Sequence, residues 1–302
     1  RRFVVEYPTI AFHYGGFVAT DYNSTYATKE AAAADGFFYA DTASFTNDPV
    51  YGSLTIVSNT TSNTEYTWTP VSAITADVLM VAGGGGSGFS YSGGGGAGGL
   101  VFSPNEPISN QQTIIVGNGA TGSTTRPQIK TGFDTIAFGY ITKGGGQGGG
   151  DDQAGVSGGS GGGGSDAAVP GGSSTQNTYG GKGFGSAGGN SGGNGQGGGG
   201  GGGAGGVGDG APSGVGGIGK DYSDTFGYTY GDEGWFAGGG APSGDSRTGY
   251  GGPYPGGTGG QGGGGDHNTN GQNHTGGGAG GNRNGGNGYK GGSGIVLVKR
   301  TA

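Results

Sequence analysis

Between residues 83 and 294 the chain carries 85 of its 89 glycines. This stretch opens on the apolar run VLMVAGGGG (Val78 to Gly86) and closes on GGSGIVLVKR (Gly291 to Arg300). Short apolar, β-branched runs of that kind read as strands, so the glycine is enclosed by structure and does not trail as a tail. With 85 glycines in 212 residues, the region lacks the side chains for an ordinary hydrophobic core and most of the groups that carry chemistry. Its order must come from the backbone and from the few side chains set between the glycines.

Spacing separates the conformations open to such a region. Collagen needs glycine at every third residue, and Gly197 to Gly203 followed by Ala204-Gly205-Gly206-Val207, with only 11 prolines in the chain, breaks that frame. A flexible linker favours Gly and Ser throughout, whereas here Tyr179, Phe184, Trp235, Phe236, Tyr250 and Tyr254 interrupt the glycine. The remaining candidate is a set of extended left-handed threads of the polyproline II type, which have no internal hydrogen bonds. Glycine lets such threads approach until they bond laterally. Ordering a residue costs roughly 1–2 kcal/mol and a net hydrogen bond returns about 0.5–1.5 kcal/mol, so a lone thread is unstable and only an extensive bundle closed by strands holds. The hexapeptide GGGAGG at 94–99, 201–206 and 276–281 fits close threads, with alanine as the largest side chain to slip between them. Ala-Pro-Ser-Gly at 211–214 and 241–244 marks turns.

The expected fold class is mostly β with little helix: a small β-rich N-terminal part, residues 1–62, and a glycine-rich domain, residues 63–302, in which a bundle of polyglycine II threads is closed by short strands. In the first part Phe3 to Tyr14 is aromatic and β-branched, Leu54 to Ser58 reads as a strand, and Thr25 to Ala34 is the only credible helix, ended by Asp35-Gly36. In the second, five runs are expected to build one platform sheet: Val78 to Val81, Leu100 to Phe102, Thr113 to Val116, Phe133 to Ile141 and Ile295 to Lys299. The first and last of these should pair, pinning the two ends of the glycine region side by side.

Composition excludes several classes. Leu, Ile, Val and Phe total 44 of 302 residues, a level that suggests disorder, but a net charge of −7 is too weak to support it. Thirteen scattered basic residues do not make a nucleic-acid surface, and no run of 18 apolar residues exists to span a membrane. The absence of cysteine removes disulfides, thiolate metal sites and cysteine nucleophiles. Arg1 is not an initiator, so a preceding segment is expected to have been removed or omitted. Sequons at Asn23, Asn59 and Asn273 are glycan acceptors if the chain passes a eukaryotic secretory route, though chance matches are common in a chain this rich in Asn, Ser and Thr.

Catalytic signatures are weak. Gly117-Asn118-Gly119-Ala120-Thr121-Gly122 matches GxGxxG, but no helix follows it. Gly216 to Asp221 resembles one imperfect calcium repeat, too little to build a β-helix. Asp151-Asp152 and Asp232-Glu233 could hold calcium, with solvated acidic turns the commoner outcome, and His267 and His274 lack a third ligand. No catalytic residue, metal or cofactor is expected. The segment that stands out is Tyr222 to Phe236, YSDTFGYTYGDEGWF. Its Tyr222, Phe226, Tyr228, Tyr230, Trp235 and Phe236 are candidate recognition residues, because aromatics among small flexible residues give contact area at low entropy cost. The competing reading is that they lie flat over the glycine bundle and shield it.

The pairing of a VLMVAGGGG opening with a GGSGIVLVKR close around glycine-rich sequence resembles the glycine-rich, polyglycine-sandwich type domains of phage and virus tail-fibre adhesins and other virion surface proteins, over roughly residues 66 to 300. That resemblance implies a non-enzymatic structural protein at the virion surface, a fibre, spike or capsid decoration that is extracellular and adhesive in host attachment. Implied partners are copies of itself or other virion subunits and a host receptor or glycan, without nucleic acid or membrane insertion. The alternative is a self-assembling subunit of a secreted filament or cell-surface coat, with the N-terminal β segment joining copies.

Overall fold

The computed structural model describes residues 9–13, 45–48, 52–126, 128–192, 196–212, 214–244, 256–283 and 286–301. The helix expected over Thr25 to Ala34, the Asn23 sequon, and Tyr250 and Tyr254 lie outside these residues.

Thirteen strands are described: β1 (Thr9–His13), β2 (Phe45–Asp48), β3 (Gly52–Asn59), β4 (Asn63–Thr69), β5 (Ile74–Val81), β6 (Leu100–Ile108), β7 (Gln112–Gly117), β8 (Thr135–Ala137), β9 (Tyr140–Thr142), β10 (Gly183–Phe184), β11 (Lys220–Asp221), β12 (Trp235–Phe236) and β13 (Ile295–Arg300). A single four-residue helix, α1 (Ser223–Phe226), accompanies them. The molecule is mostly β with almost no helix. The strands form a five-stranded sheet β1-β13-β5-β6-β10, a six-stranded sheet β2-β3-β4-β7-β8-β9 and a β11-β12 pair.

β5 and β13, which bracket the glycine, pair antiparallel with Val81 opposite Ile295 and Val78 opposite Val298, as expected. The single platform sheet, however, is not what forms. Val78–Val81, Leu100–Phe102 and Ile295–Lys299 lie in the five-stranded sheet, and Thr113–Val116 in the six-stranded one. The run from Phe133 to Ile141 is a β8-β9 hairpin instead of one strand, because Phe138 and Gly139 both take positive φ, 50° and 78°, as the twist of a tight hairpin demands. The β3-β4 hairpin spans residue 62.

The two large sheets pack face to face. Alternation in β4 turns Thr64, Tyr66 and Trp68 inward, where Tyr66, Trp68, Leu54, Ile114 and Val116 meet Val78, Met80, Val101, Val296 and Val298 of the five-stranded sheet. Because successive strand residues face opposite ways, Leu79, Val81, Leu100, Ile295 and Leu297 form a second core on the other face. β5 and β13 are therefore apolar on both faces, which explains their unbroken hydrophobic runs. The Thr135 hydroxyl joins the sheets where they meet, donating to the Val81 carbonyl (3.0 Å) and accepting from the Gly117 amide (2.9 Å).

Beyond the strand ends the chain continues as glycine threads, and the hydrogen-bond period changes. From Ala82 to Ser87, the amides of Ala82 and Gly85 donate to Gly99 and Gly96, those of Gly83 and Gly86 to Phe133 and Lys130, and those of Gly84 and Ser87 to Gly292 and Tyr289. Every third residue turns to the same neighbour, a three-residue period where a sheet has two. The thread 93–99 repeats the pattern: Gly93, Gly96 and Gly99 donate to Gly149, Gly146 and Lys143, Gly94 and Ala97 to Gly199 and Gly202, and Gly95 and Gly98 to Ala279 and Gly276. It also accepts from Ala82 and Gly85, from Ser160 and Gly163, and from Gly240, so six neighbouring stretches surround it, some parallel and some antiparallel. Such packing leaves no room for side chains; a methyl at Gly95 would collide with the Gly85 carbonyl oxygen. Ala97 and Ala204, from two of the three GGGAGG copies, reach into the outer core of the five-stranded sheet.

Candidate functional site

The segment 222–236 is a small folded unit laid over the outer face of the five-stranded sheet. β11 and β12 close its base, with Lys220 opposite Phe236 and Asp221 opposite Trp235. The Asp221 carboxylate accepts from the amide of Ser223, the first residue of α1, at 2.8 Å, which holds that carboxyl below the usual carboxylate range. Three contacts fasten the unit. Lys299 Nζ, on β13, donates to the Thr225 carbonyl at the end of α1 (2.7 Å). Asp232 Oδ2 accepts from the Gly262 amide (2.9 Å), and the Ala237 amide donates to the Thr275 carbonyl (2.8 Å).

This fastening decides which aromatics face outward. Phe226, Tyr230 and Phe236 are 1%, 4% and 0% exposed, inside the cluster of Leu79, Leu100 and Leu297. Tyr222 and Phe102 pack ring to ring at 4.8 Å, Phe102 meets Phe226 edge-on at 6.3 Å, and burial pushes the Tyr222 hydroxyl pKa upward. The segment is thus divided between the two readings: four of its six aromatics, Tyr222, Phe226, Tyr230 and Phe236, serve as the cover of a side-chain core. They cover a sheet face together with Ala97 and Ala204 of the adjoining threads. What remains outward is Tyr228, 71% exposed, with half-buried Trp235 and the exposed acids Asp224 and Glu233.

The other sequence candidates are engaged elsewhere. In the GxGxxG stretch the amides of Ala120 and Ser123 donate to Gly84 and Ser87, so the loop is a thread of the bundle and not a phosphate cradle. Asp151 and Asp152 face Arg126 at 2.9 and 3.6 Å. Both ring nitrogens of His267 have partners, the Gly244 amide at 3.4 Å and the Asn268 side-chain amide at 2.8 Å, and burial followed by the charge of Arg283 lowers its pKa. Among the described residues no group of three His, Cys, Asp or Glu could hold a metal, and no helix is long and apolar enough to cross a membrane. Of the sequons, Asn59 lies at the end of β3 and Asn273 is exposed, its Oδ1 accepting from the Ser293 amide (3.3 Å).

Sequence reasoning missed one polar cluster. Lys182 Nζ donates to Ser103 Oγ and Tyr140 OH, each at 2.9 Å, and Tyr140 OH and Ser103 Oγ both donate to Glu106 Oε2. The hydrogen bond to Tyr140 comes first among the causes that raise the Lys182 pKa, so the amine stays charged, the opposite of a base that would activate Ser103. The cluster ties β6 of one sheet to β9 of the other. Tyr140 and Lys182 are 37 and 79 residues along the chain from Ser103, and no spacing signals them.

A family model described as a glycine-rich domain matches residues 60–301. The chain belongs to the glycine-rich domain family. No curated protein and no solved structure matches it.

Proposed function

We propose that the chain is a non-enzymatic structural protein of a virion surface, a fibre, spike or capsid decoration, whose glycine region is a bundle of polyglycine II threads and whose outward tip meets a host receptor or glycan. The observation that carries this reading is the three-residue hydrogen-bond period, the period of a polyproline II thread. A region whose peptide groups are consumed in lateral bonds suits a stiff, solvent-facing support. The same layout supports an extracellular setting, with copies of itself or neighbouring subunits as partners and no part for nucleic acid or membrane insertion. The purified chain should bind intact host cells and compete with the particle for them; failure to bind any surface, together with density showing copies stacked end to end, would overturn the adhesive role.

A second reading, a subunit of a secreted filament or coat, draws support from one feature. β1 lies outside the matched domain yet completes its sheet through β13, which joins an N-terminal strand to the domain in a fixed register.

A further inference from the structure

We propose that the side of β13 facing away from β5, which β1 of the same chain fills in the structure, is a strand-acceptor site and that its occupant in the assembled protein is β1 of a second copy of this chain. The proposal deepens the reading of this chain as a self-associating structural subunit, but it needs no receptor and no cell.

Ile295 to Val298 of β13 are buried on both faces, the environment of an interior strand. Among the described strands of the matched domain, residues 60–301, β13 has β5 on one side and no partner on the other. That row of amides and carbonyls would be an open edge, the usual template for strand addition. The opposite edge of the sheet is β10, only two residues long and paired with Leu100 and Val101 of β6, and the rest of β6 is interrupted by Pro104 and Pro107, which makes it a poorer template than β13.

β1 fills that template in an unusual way. It pairs with β13 in parallel, Thr9 opposite Ile295 through His13 opposite Lys299, whereas every other pair of named strands is antiparallel. Among the described strands it neighbours β13 alone, and the next strand, β2, belongs to the other sheet. Residues 14–44 join the two strands, 31 residues by sequence. At about 3.3 Å per residue their contour reaches on the order of 100 Å, well beyond the radius of gyration of roughly 19 Å expected for a compact chain of this length.

Parallel pairing within one chain demands such a long crossover, while pairing between chains demands none. The five backbone register pairs are the same in either case. What differs is the cost of closing the connecting segment against the concentration of neighbouring copies. A covalent tether supplies at most an effective concentration in the millimolar range, which copies packed on a particle or along a filament match. Crowded copies therefore exchange β1, and dilute ones keep it.

Because the chain lacks cysteine, the position of β1 can be read by disulfide trapping. His13→Cys and Lys299→Cys would be placed together in one chain, and singly in two chains that are refolded as a mixture and oxidised at rising concentration. The expected result is a covalent dimer containing one chain of each kind, increasing with concentration, and a double variant whose bond shifts from within the chain to between chains. If the single variants stay monomeric while the double variant closes only internally at every concentration, β1 remains in its own chain and the proposal fails. Equal dimer yield from His13→Cys alone would overturn it as well. A double variant that closes in neither way would remove the β1–β13 register on which the proposal stands.

Discussion

The paired sheets and the glycine bundle are two cores built from one chain by opposite means. In the sheets, backbone bonds run to at most two neighbours and side chains fill the space between layers, with Trp68 and Tyr66 at the centre. In the bundle the backbone itself fills the space, and the thread 93–99 bonds to six neighbouring stretches. A side-chain core resists the loss of atoms and a backbone core resists their addition. The join is economical, since the β5-β6 pairing of Val81 with Leu100 passes directly into the Ala82 and Gly85 bonds of the bundle.

The contrast breaks most visibly under opposite substitutions. Trp68→Ala empties the core between the sheets and should cost about 3–5 kcal/mol. Gly95→Ala adds one methyl, yet its obstacle is a carbonyl oxygen of the neighbouring thread that no rotamer change can move. The loss should reach about 3 kcal/mol, the upper end for overpacking. Gly139, at positive φ in the β8-β9 turn with open space around it, should lose only about 1 kcal/mol on the same change. Urea denaturation of the three variants ranks them, and a Gly95→Ala cost no larger than that of Gly139→Ala would mean the bundle yields like a loop. Amides of Gly85, Gly95 and Gly96 should exchange as slowly as those of β5.

Much of this architecture was legible in the residues, and the limits have physical causes. The β5-β13 pairing followed from two apolar runs bracketing the glycine, and close approach followed from the absence of side chains. The partition into two sheets was not legible, because β5 and β7 are both plain apolar runs and only the inward alternation of the β4 segment, Thr64, Tyr66 and Trp68, hints at a second layer. The division of Tyr222 to Phe236 into buried and outward rings was also hidden. It depends on Lys299 and Gly262, which are 74 and 30 residues from their partners Thr225 and Asp232.

The seam between sheets and bundle offers a smaller effect. Thr135→Val keeps the shape of the side chain but strands the Gly117 amide in a buried site and removes the bond to the Val81 carbonyl, for an expected loss of about 1–3 kcal/mol. Thr135→Ser should recover most of it; equal losses for Val and Ser would assign the effect to packing.

Alkaline pH tests the side-chain core alone. Burial raises the hydroxyl pKa of both Tyr66 and Tyr222. Above about pH 10 the unfolded chain releases these protons while the folded chain retains them, so stability that is full below that pH declines as pH rises. The initial slope should approach about 1.4 kcal/mol per pH unit for each fully protected tyrosine. Tyr66→Phe and Tyr222→Phe should each flatten the curve, and an unchanged slope in both would show that neither hydroxyl is shielded.

The smallest effect on stability is expected where the effect on binding is largest. Tyr228 is 71% exposed, so Tyr228→Ala should change folding stability by no more than about 0.5 kcal/mol. Phe226, only two residues along the chain from Tyr228 yet 1% exposed, should cost about 3–5 kcal/mol when truncated to Ala. If the tip meets a receptor or glycan, Tyr228→Ala and Trp235→Ala should each weaken attachment to host cells by about 1 kcal/mol or more, whereas Glu233→Gln should act through charge and fade at high salt. Normal attachment by both aromatic variants would leave the segment as a cover for the sheet alone. The assembling-subunit reading would then account for the protein better than the adhesive one, because the remaining route to a partner runs through backbone edges and not through the tip.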